Sequence, residues 1–114
     1  MDTTARDRAA MLRALYAAYL DGRKDLVGEM LTENFTFSSP RDDHIGRDAY
    51  FERCWPREPA FRRFDIEFLA VEGDEAAVRY RAEKRDGGSF RNMESFRFEG
   101  GKIASVDVYF GRDL

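Results

Sequence analysis

Glu94 is the residue of this chain whose surroundings most suggest chemistry. It lies in the segment SFRNMESFRFE, which has the composition of a β-strand. Side chains alternate between the two faces of a strand, so Glu94 and Asn92 share a face with Phe90, Phe96 and Phe98. We expect that aromatic face to be buried, and a bare carboxylate is costly there. Glu94 is therefore either an acid in a pocket or a structural group bonded to an inward arginine or tyrosine, and both alternatives remain open.

A second set of candidates lies in the segment RDDHIG, which we predict to be a loop at the rim of such a pocket. Asp43 and His44 could form an acid–base pair there, because histidine titrates near neutral pH. The simpler interpretation, which we favour, is a polar turn that leads into a helix. His44 is the single histidine of the chain, and no ligand spacing indicates a metal site. Cys54 is expected to pack in the core, since no histidine is obviously placed to activate it.

Three helices are predicted to precede most of the strands. The first covers residues 4–20 and places leucines and tyrosines at the three- and four-residue spacing of one buried face. The second is short and covers residues 25–31. A brief strand over residues 35–39 follows and ends at a proline. The third helix covers residues 46–55 and is also stopped by a proline.

The second half of the chain changes to a period of two, which is typical of strands. One strand carries Phe64, Ile66 and Phe68 on its inner face, and the next carries Tyr80 at the centre of its inner face. Residues 89–110 are predicted to form a β-hairpin with a Gly-Gly pair as its two-residue turn. Helices followed by long antiparallel strands indicate the α+β class, with the helices on one face of the sheet.

Length and composition limit the functions to consider. The chain has 114 residues, 43% of them hydrophobic, which predicts one domain over residues 1–114. Its net charge of −3 argues against nucleic acid as a partner. No apolar run predicts a membrane span, and the charged start is unlike a secretory signal. The single cysteine fits a reducing compartment, so we expect a cytoplasmic protein.

Several strings in this order resemble the NTF2-like superfamily, specifically its SnoaL-like and ketosteroid-isomerase-like branch. They are LYAAYLDGRKDLVGEMLTENFTF near the start, Gly46 before the third helix, and MESFRFEGGKIASVDVYFG at the end. The resemblance covers nearly the whole chain. It implies a cone-shaped α+β fold, in which a strongly bent antiparallel sheet wraps around three helices and encloses a deep, mostly apolar pocket.

The resemblance also suggests roles for individual positions. Glu94 falls where ketosteroid isomerases keep a protonated acid, and burial should raise the pKa of its carboxyl. The position of their catalytic base falls at Ser39, which cannot abstract a carbon-bound proton unaided. Leu15 takes the place of their oxyanion tyrosine, with Tyr16 one step away and Tyr19 one turn further on. We therefore do not predict a steroid-type isomerase mechanism.

Members of the superfamily commonly dimerise through the outer face of the sheet, so the resemblance implies a homodimer. Alternation places six residues on that outer face, which could instead be a solvated charged surface: Arg79, Arg81, Ser95, Arg97, Asp107 and Tyr109.

We expect acid–base chemistry of isomerase, cyclase, dehydratase or epoxide-hydrolase type on a small apolar or cyclic molecule, with no cofactor. The alternatives are a non-catalytic small-ligand-binding protein and a dimerisation or adaptor domain. The candidate catalytic residues are Glu94, Asp43 and His44. The candidate ligand-binding residues are Tyr16, Tyr19, Phe37, Ser39, Phe51, Trp55, Phe68, Tyr80, Asn92, Phe96, Val108 and Phe110.

Overall fold

A computed structural model describes residues 3–114, and within them the chain forms three helices and six strands. The helices are α1 (Thr3–Leu20), α2 (Lys24–Met30) and α3 (Arg47–Cys54). The strands are β1 (Leu31–Ser39), β2 (Asp42–Gly46), β3 (Phe61–Glu72), β4 (Glu75–Lys84), β5 (Ser89–Glu99) and β6 (Lys102–Asp113). No helix in the described part of the chain has both the length and the apolar character needed to cross a membrane.

The strands form one bent sheet in the order β2-β1-β6-β5-β4-β3. The predicted α+β class, with the sheet folded around three helices, is confirmed. The sheet is mixed, because β1 runs parallel to β6 while every other neighbouring pair is antiparallel. A parallel pair requires a long connection between its strands, and the chain supplies one here through α3 and the four strands β2, β3, β4 and β5.

Two predicted boundaries near the first strands were wrong. β1 begins at Leu31 directly after α2, so the strand is longer at its N-terminal end than the sequence pattern indicated. The segment predicted to be a loop contains β2, which pairs with β1 through Phe37 opposite Ile45 and Ser39 opposite Asp42. A five-residue edge strand that is half exposed and rich in acidic residues carries no clear alternating signal.

The hydrophobic core lies between α1, α2 and the concave face of the sheet. Alternation along β5 is as predicted, because Asn92, Phe96 and Phe98 are buried on that face while Arg97 and Glu99 are exposed. The hairpin that joins β5 to β6 turns through two glycines, and Gly100 has a φ of 63°, a left-handed conformation that favours glycine.

Arg8 connects α1 to both hairpin turns at one end of the sheet. Its guanidinium donates to the carbonyl of Gly73, lies 2.9 Å from the carboxylate of Asp74, and donates at 3.4 Å to the carbonyl of Gly100. It also stacks over the ring of Phe98, at 5.0 Å from the ring centroid. These contacts fix where α1 lies on the sheet and therefore where its later residues meet the strands.

A bulge in β3 reverses the side-chain alternation after Ile66. Ile66 is opposite Tyr80, but Phe68 is opposite Arg79, so Glu67 is the extra residue. Phe68 consequently turns outward, is 46% exposed, and lies beneath the guanidinium of Arg79. The expectation that Phe68 faces the interior was wrong for this reason.

A second bulge lies in β6, next to the C-terminal end of the strand. Asn92 is opposite Phe110 and Arg91 is opposite Arg112, which leaves Gly111 as the extra residue. Phe110 is 52% exposed beside this bulge, with the guanidinium of Arg41 over its ring. Phe110 therefore does not join the buried face, contrary to the expectation from its spacing to Val108.

Candidate active site

A cavity of about 210 Å³ lies on the concave side of the sheet, between the strands and the helices α1 and α3. We call it the aromatic cavity, because most of its wall consists of phenylalanine and tyrosine rings. Its lining residues are Leu15, Tyr16, Tyr19, Phe37, Tyr50, Cys54, Phe61, Phe64, Tyr80, Phe90, Asn92, Glu94, Phe96, Val106 and Val108.

The aromatic rings that line the cavity pack against one another mainly in edge-to-face and tilted pairs. The ring of Tyr16 lies 5.2 Å from that of Tyr80 and 5.7 Å from that of Phe64, and Tyr80 meets Phe64 edge-on at 5.4 Å. Such pairs stabilise a core beyond simple burial and restrict ring rotation. The hydroxyl groups of Tyr16 and Tyr80 are thereby held at fixed positions on the wall.

The carboxyl group of Glu94 is the centre of the polar part of the aromatic cavity. The hydroxyl of Tyr16 on α1 donates to one carboxyl oxygen at 2.6 Å, and the hydroxyl of Tyr80 on β4 donates to the other at 3.0 Å. Glu94 is itself only partly accessible. The inward arginine or tyrosine partner that the sequence left open is therefore a pair of tyrosines.

Asn92 extends this network by one residue along β5. Its amide nitrogen donates to the hydroxyl of Tyr80 at 3.2 Å, and its amide oxygen accepts from the backbone N–H of Gly111 at 3.0 Å. Gly111 is the extra residue of the β6 bulge, and a side chain there would have its Cβ only 1.9 Å from the carbonyl oxygen of Arg91. The bulge thus brings a backbone donor to a position where only glycine fits.

Burial raises the pKa of Glu94 above its ordinary value, while the hydrogen bonds from Tyr16 and Tyr80 act in the opposite direction. Burial, together with the neighbouring carboxyl of Glu94, also raises the pKa of both tyrosines. Within residues 3–114, no lysine, arginine or histidine lines the aromatic cavity to balance a negative charge. The arrangement therefore favours the neutral carboxylic acid, which can donate a hydrogen bond or a proton.

The third tyrosine predicted for the site also lines the cavity, and its polar contact is with the end of α3. Tyr19 packs edge-on against Trp55 at 5.0 Å, and its hydroxyl donates to the carbonyl of Cys54 at 3.4 Å. Burial raises the pKa of Tyr19 to about 12. Trp55 and Phe51 lie behind this wall and pack against the core rather than lining the cavity.

Cys54 faces the cavity but is poorly suited to act as a nucleophile. Burial and the neighbouring carboxylate of Asp42 raise the pKa of its thiol to about 11. Asp42 pairs with Arg53 at 2.7 Å and accepts from the Cys54 thiol at 3.9 Å, so these side chains join β2 to α3. Within the described residues, no cluster of histidine, cysteine and carboxylate groups could hold a metal ion.

The structure brings together most of the predicted site residues but not all of them. On the cavity wall are Glu94, Tyr16, Tyr19, Phe37, Tyr80, Asn92, Phe96 and Val108. Outside it are Asp43, His44, Ser39, Phe51, Trp55, Phe68 and Phe110. Which of them carry out a reaction or bind a ligand stays a prediction.

The side chains of Asp43 and His44, for which the sequence left an acid–base pair and a polar turn open, contact each other on the surface and do not line the cavity with Glu94. Their side chains lie 2.6 Å from each other and are 92% and 72% exposed. His44 has a φ of 51°, and its backbone N–H donates to the hydroxyl of Ser38 at 2.9 Å. Ser39 accepts a hydrogen bond from the backbone N–H of Arg41, as a residue at a strand end commonly does.

Several lining residues were absent from the sequence-based set of site residues. Phe90 shares the inner face of β5 with Glu94, and Phe64 precedes the β3 bulge, so alternation alone could have identified both. Tyr50 follows from helical spacing in α3, where it contacts Phe37 at 5.0 Å. The lining residues omitted from the prediction are Leu15, Tyr50, Cys54, Phe61, Phe64, Phe90 and Val106.

Comparison with known proteins supports the same fold. A family model described as a SnoaL-like domain matches residues 12–106. No functionally curated protein matches the sequence closely enough to count as a relative. The chain is 24% identical to an NTF2-like protein of unknown function from Mesorhizobium loti, with a TM-score of 0.79, covering 98% of this chain and 97% of that one.

Two further solved structures carry functional names. A candidate ketosteroid isomerase from Kribbella flavida is 15% identical, with a TM-score of 0.81, and the match covers 96% of this chain and 82% of that one. An LEH-like epoxide hydrolase from M. tuberculosis is 14% identical, with a TM-score of 0.78, covering 94% and 84% respectively. At these identities the likeness shows the fold alone.

Proposed function

The chain belongs to the SnoaL-like domain family, and we propose that its aromatic cavity is the site of acid–base chemistry on a small, mostly apolar molecule. One observation carries this proposal. The carboxyl of Glu94 lies on an otherwise aromatic wall and is held by the hydroxyls of Tyr16 and Tyr80 at 2.6 and 3.0 Å. These two hydrogen bonds offset the cost of burying the carboxyl and hold it on the wall of the cavity.

Glu94 acts in its neutral form, as an acid toward an oxygen atom of the substrate. A carbonyl or epoxide oxygen that approaches the wall meets a proton donor in a water-poor setting, where donation to a developing negative charge is most effective. When Glu94 gives up its proton, the hydroxyls of Tyr16 and Tyr80 stabilise the resulting carboxylate. The reactions that fit are isomerisation, cyclisation, dehydration and epoxide opening.

The size of the aromatic cavity limits the substrate. Its volume of about 210 Å³ exceeds the roughly 150 Å³ of a cavity that holds benzene. It is below the roughly 300–1,000 Å³ of sites for drug-sized ligands. We therefore propose a substrate with one ring and few substituents, whose flat faces can pack against the tyrosine and phenylalanine rings.

The acid is assigned to Glu94 alone. Asp43 and His44 are too exposed, at 92% and 72%, to share its water-poor setting. Ser39 lies outside the wall, at the end of β1. Among the described residues that line the cavity, Glu94 is the one carboxylate and no histidine is present, so the chemistry assigned to this wall is protonation of a substrate oxygen.

The proposal is tested with the substitution Glu94→Gln, which keeps the shape of the side chain but removes its titration. The assay follows turnover of one-ring unsaturated ketones and one-ring epoxides. Loss of a general acid typically costs about 10²- to 10⁴-fold in rate. The matched control is Glu99→Gln, at an exposed position of the same strand, which should leave turnover unchanged. Turnover within about twofold of the unmodified protein in Glu94→Gln would contradict the proposal.

Non-catalytic binding of a small molecule is the second candidate function. The observation that favours it is the lack of a second carboxylate or histidine on the cavity wall, among the residues described. The same panel of compounds separates the two functions. A compound that binds but is not converted, with equal affinity for the unmodified protein and Glu94→Gln, would favour the binding protein.

A further inference from the structure

We infer that Asn92 is a positioning residue, whose side-chain amide, held by the backbone N–H of Gly111, orients the hydroxyl of Tyr80 as a donor to Glu94. This inference deepens the proposed function and rests on it for its importance to catalysis. The orientation itself follows from hydrogen-bond directions alone.

The donor and acceptor roles in this network follow from the hydrogen bond between Gly111 and Asn92. A backbone N–H can only donate, so the atom of Asn92 that lies 3.0 Å from the nitrogen of Gly111 must be the amide oxygen. The amide nitrogen then faces the hydroxyl of Tyr80 at 3.2 Å and can only donate to it. The two ends of an asparagine side chain often cannot be told apart, but here the backbone of the β6 bulge distinguishes them.

The proton of the Tyr80 hydroxyl therefore has one remaining partner. A phenol oxygen carries a single proton, and its acceptor side already receives the donation from Asn92. The neighbour left for that proton is the carboxyl oxygen of Glu94 at 3.0 Å. Without Asn92, Tyr80 could instead accept a proton from Glu94 and hold it away from the cavity.

Because Asn92 is buried, its side-chain amide is restricted to this one orientation. Asn92 is only 9% exposed, and turning its amide over would place the buried amide nitrogen against the backbone N–H of Gly111, two donors with no acceptor between them. A Cβ at position 111 would lie 1.9 Å from the carbonyl oxygen of Arg91, so the backbone that supplies this N–H requires glycine. The β6 bulge and Asn92 together fix the direction in which the Tyr80 hydroxyl donates.

The titratable groups that line the cavity with Glu94 are four tyrosines and one cysteine. Tyr16 and Tyr19 come from α1, Tyr50 and Cys54 from α3, and Tyr80 from β4. The strands β3, β5 and β6 add no titratable group to the cavity wall besides Glu94 itself, within residues 3–114. A change in the hydrogen bond from Tyr80 should thus alter the proton equilibrium of Glu94 directly.

The test measures the protonation of Glu94 by the ¹³C resonance of its side-chain carboxyl, which is identified by its absence in Glu94→Gln. Asn92→Leu removes the amide while keeping similar bulk. We expect the ratio of neutral to ionised Glu94 at fixed pH to rise by up to about tenfold, because the Tyr80 hydroxyl can then accept from the neutral acid as well as donate to the carboxylate. In a Tyr80→Phe background, Asn92→Leu should leave the ratio unchanged, because Asn92 acts through the hydroxyl of Tyr80.

A second variant keeps the test decisive where Asn92→Leu does not fold. Asn92→Asp has the same shape and still accepts from Gly111, but it offers Tyr80 an acceptor, so the Tyr80 proton should turn away from Glu94. The ratio should again rise. The charge of the new carboxyl acts on Glu94 directly and remains in the Tyr80→Phe background, so the rise should be larger with the Tyr80 hydroxyl than without it. An unchanged ratio, or an equal change with and without the Tyr80 hydroxyl, would overturn the inference.

The measured protonation of Glu94 does not depend on the turnover assay. If the coupling between Asn92 and Glu94 is found but Glu94→Gln converts substrate normally, the positioning stands and the proposed function fails. If turnover depends on Glu94 but its protonation does not respond to Asn92, the proposed function stands and the positioning role fails.

Discussion

The hydroxyl of Tyr16 lies 2.6 Å from the carboxyl of Glu94, although the two residues are 78 positions apart. The contact joins the first helix to β5, an interior strand of the sheet. It therefore forms only when α1 is seated correctly on the concave face. Arg8, which anchors α1 to two hairpin turns, contributes to the site without touching it.

Tyr16→Phe should shift Glu94 further toward its neutral form. The substitution removes a donor that stabilises the carboxylate, and burial, which raises the pKa of Glu94, remains. The ¹³C titration of the Glu94 carboxyl should therefore move to higher pH. Tyr109→Phe, at a residue that is 59% exposed, is the control and should leave the titration in place. A shift to lower pH in Tyr16→Phe would show that Tyr16 does not donate to Glu94.

Glu94→Gln should make the fold less sensitive to pH. In the unfolded chain Glu94 ionises near its ordinary pKa of 4.5, whereas burial raises the pKa in the folded protein. Between these two values the folded protein holds a proton that the unfolded chain has released. The free energy of unfolding of the unmodified protein therefore falls as pH rises through this window, by about 1.4 kcal/mol for each unit of separation.

Glu94→Gln has no carboxyl at this position, so its free energy of unfolding should not fall in this way. The variant should therefore become more stable relative to the unmodified protein as pH rises. Denaturant unfolding at several pH values from about 5 to about 9 measures the difference. Glu99→Gln, at an exposed glutamate, serves as the control. Parallel stability curves for the unmodified protein and Glu94→Gln would rule out a raised pKa in the folded state.

Local periodicity predicted the wall of the site well, because alternation along a strand is a local property. Glu94 and Asn92 were placed among the phenylalanines of β5 correctly. The partners of Glu94 depend on how α1 packs on the sheet, which no local pattern contains. The sequence therefore left open whether an arginine or a tyrosine would bond Glu94, and Asp43 and His44 were proposed as its catalytic partners.

Bulges explain why two aromatic residues were misplaced. One extra residue in β3 reverses the face of Phe68, and Gly111 in β6 leaves Phe110 at an exposed strand end. Nothing in the alternation of apolar residues marks Glu67 as a bulge. Gly111 did carry a signal, since a glycine within a strand often marks a bulge or a close approach of the backbone.

Gly111→Ala should destabilise the protein and disturb the cavity. The new Cβ would lie 1.9 Å from the carbonyl oxygen of Arg91, so the backbone must move. That movement also displaces the N–H that holds Asn92. We expect a loss of about 2 kcal/mol or more in the free energy of unfolding, as for other backbone clashes and buried groups left unpaired. Gly101→Ala, where the added Cβ would meet nothing within 4 Å, is the matched control. Equal stability of the two variants would contradict the close approach.

The outer face of the sheet is proposed to form a homodimer. Tyr109 and Phe68 are 59% and 46% exposed there, beside Arg79. A dimer would bury these rings, and introducing a charge at Tyr109 should weaken it. The native mass at micromolar concentration should exceed that of one 13.2 kDa chain, and Tyr109→Glu should lower it. If the unmodified protein had the native mass of a single chain, the proposed homodimer would be contradicted.

The most direct measurement of the central claim is the pH titration of the Glu94 carboxyl in the unmodified protein. The claim is that Glu94 is an acid kept neutral by burial and held by Tyr16 and Tyr80. The ¹³C resonance of its carboxyl should titrate with a midpoint above the ordinary glutamate value of 4.5. A midpoint at or below that value would mean that Glu94 is an ordinary carboxylate, and the proposed acid chemistry would have no acid.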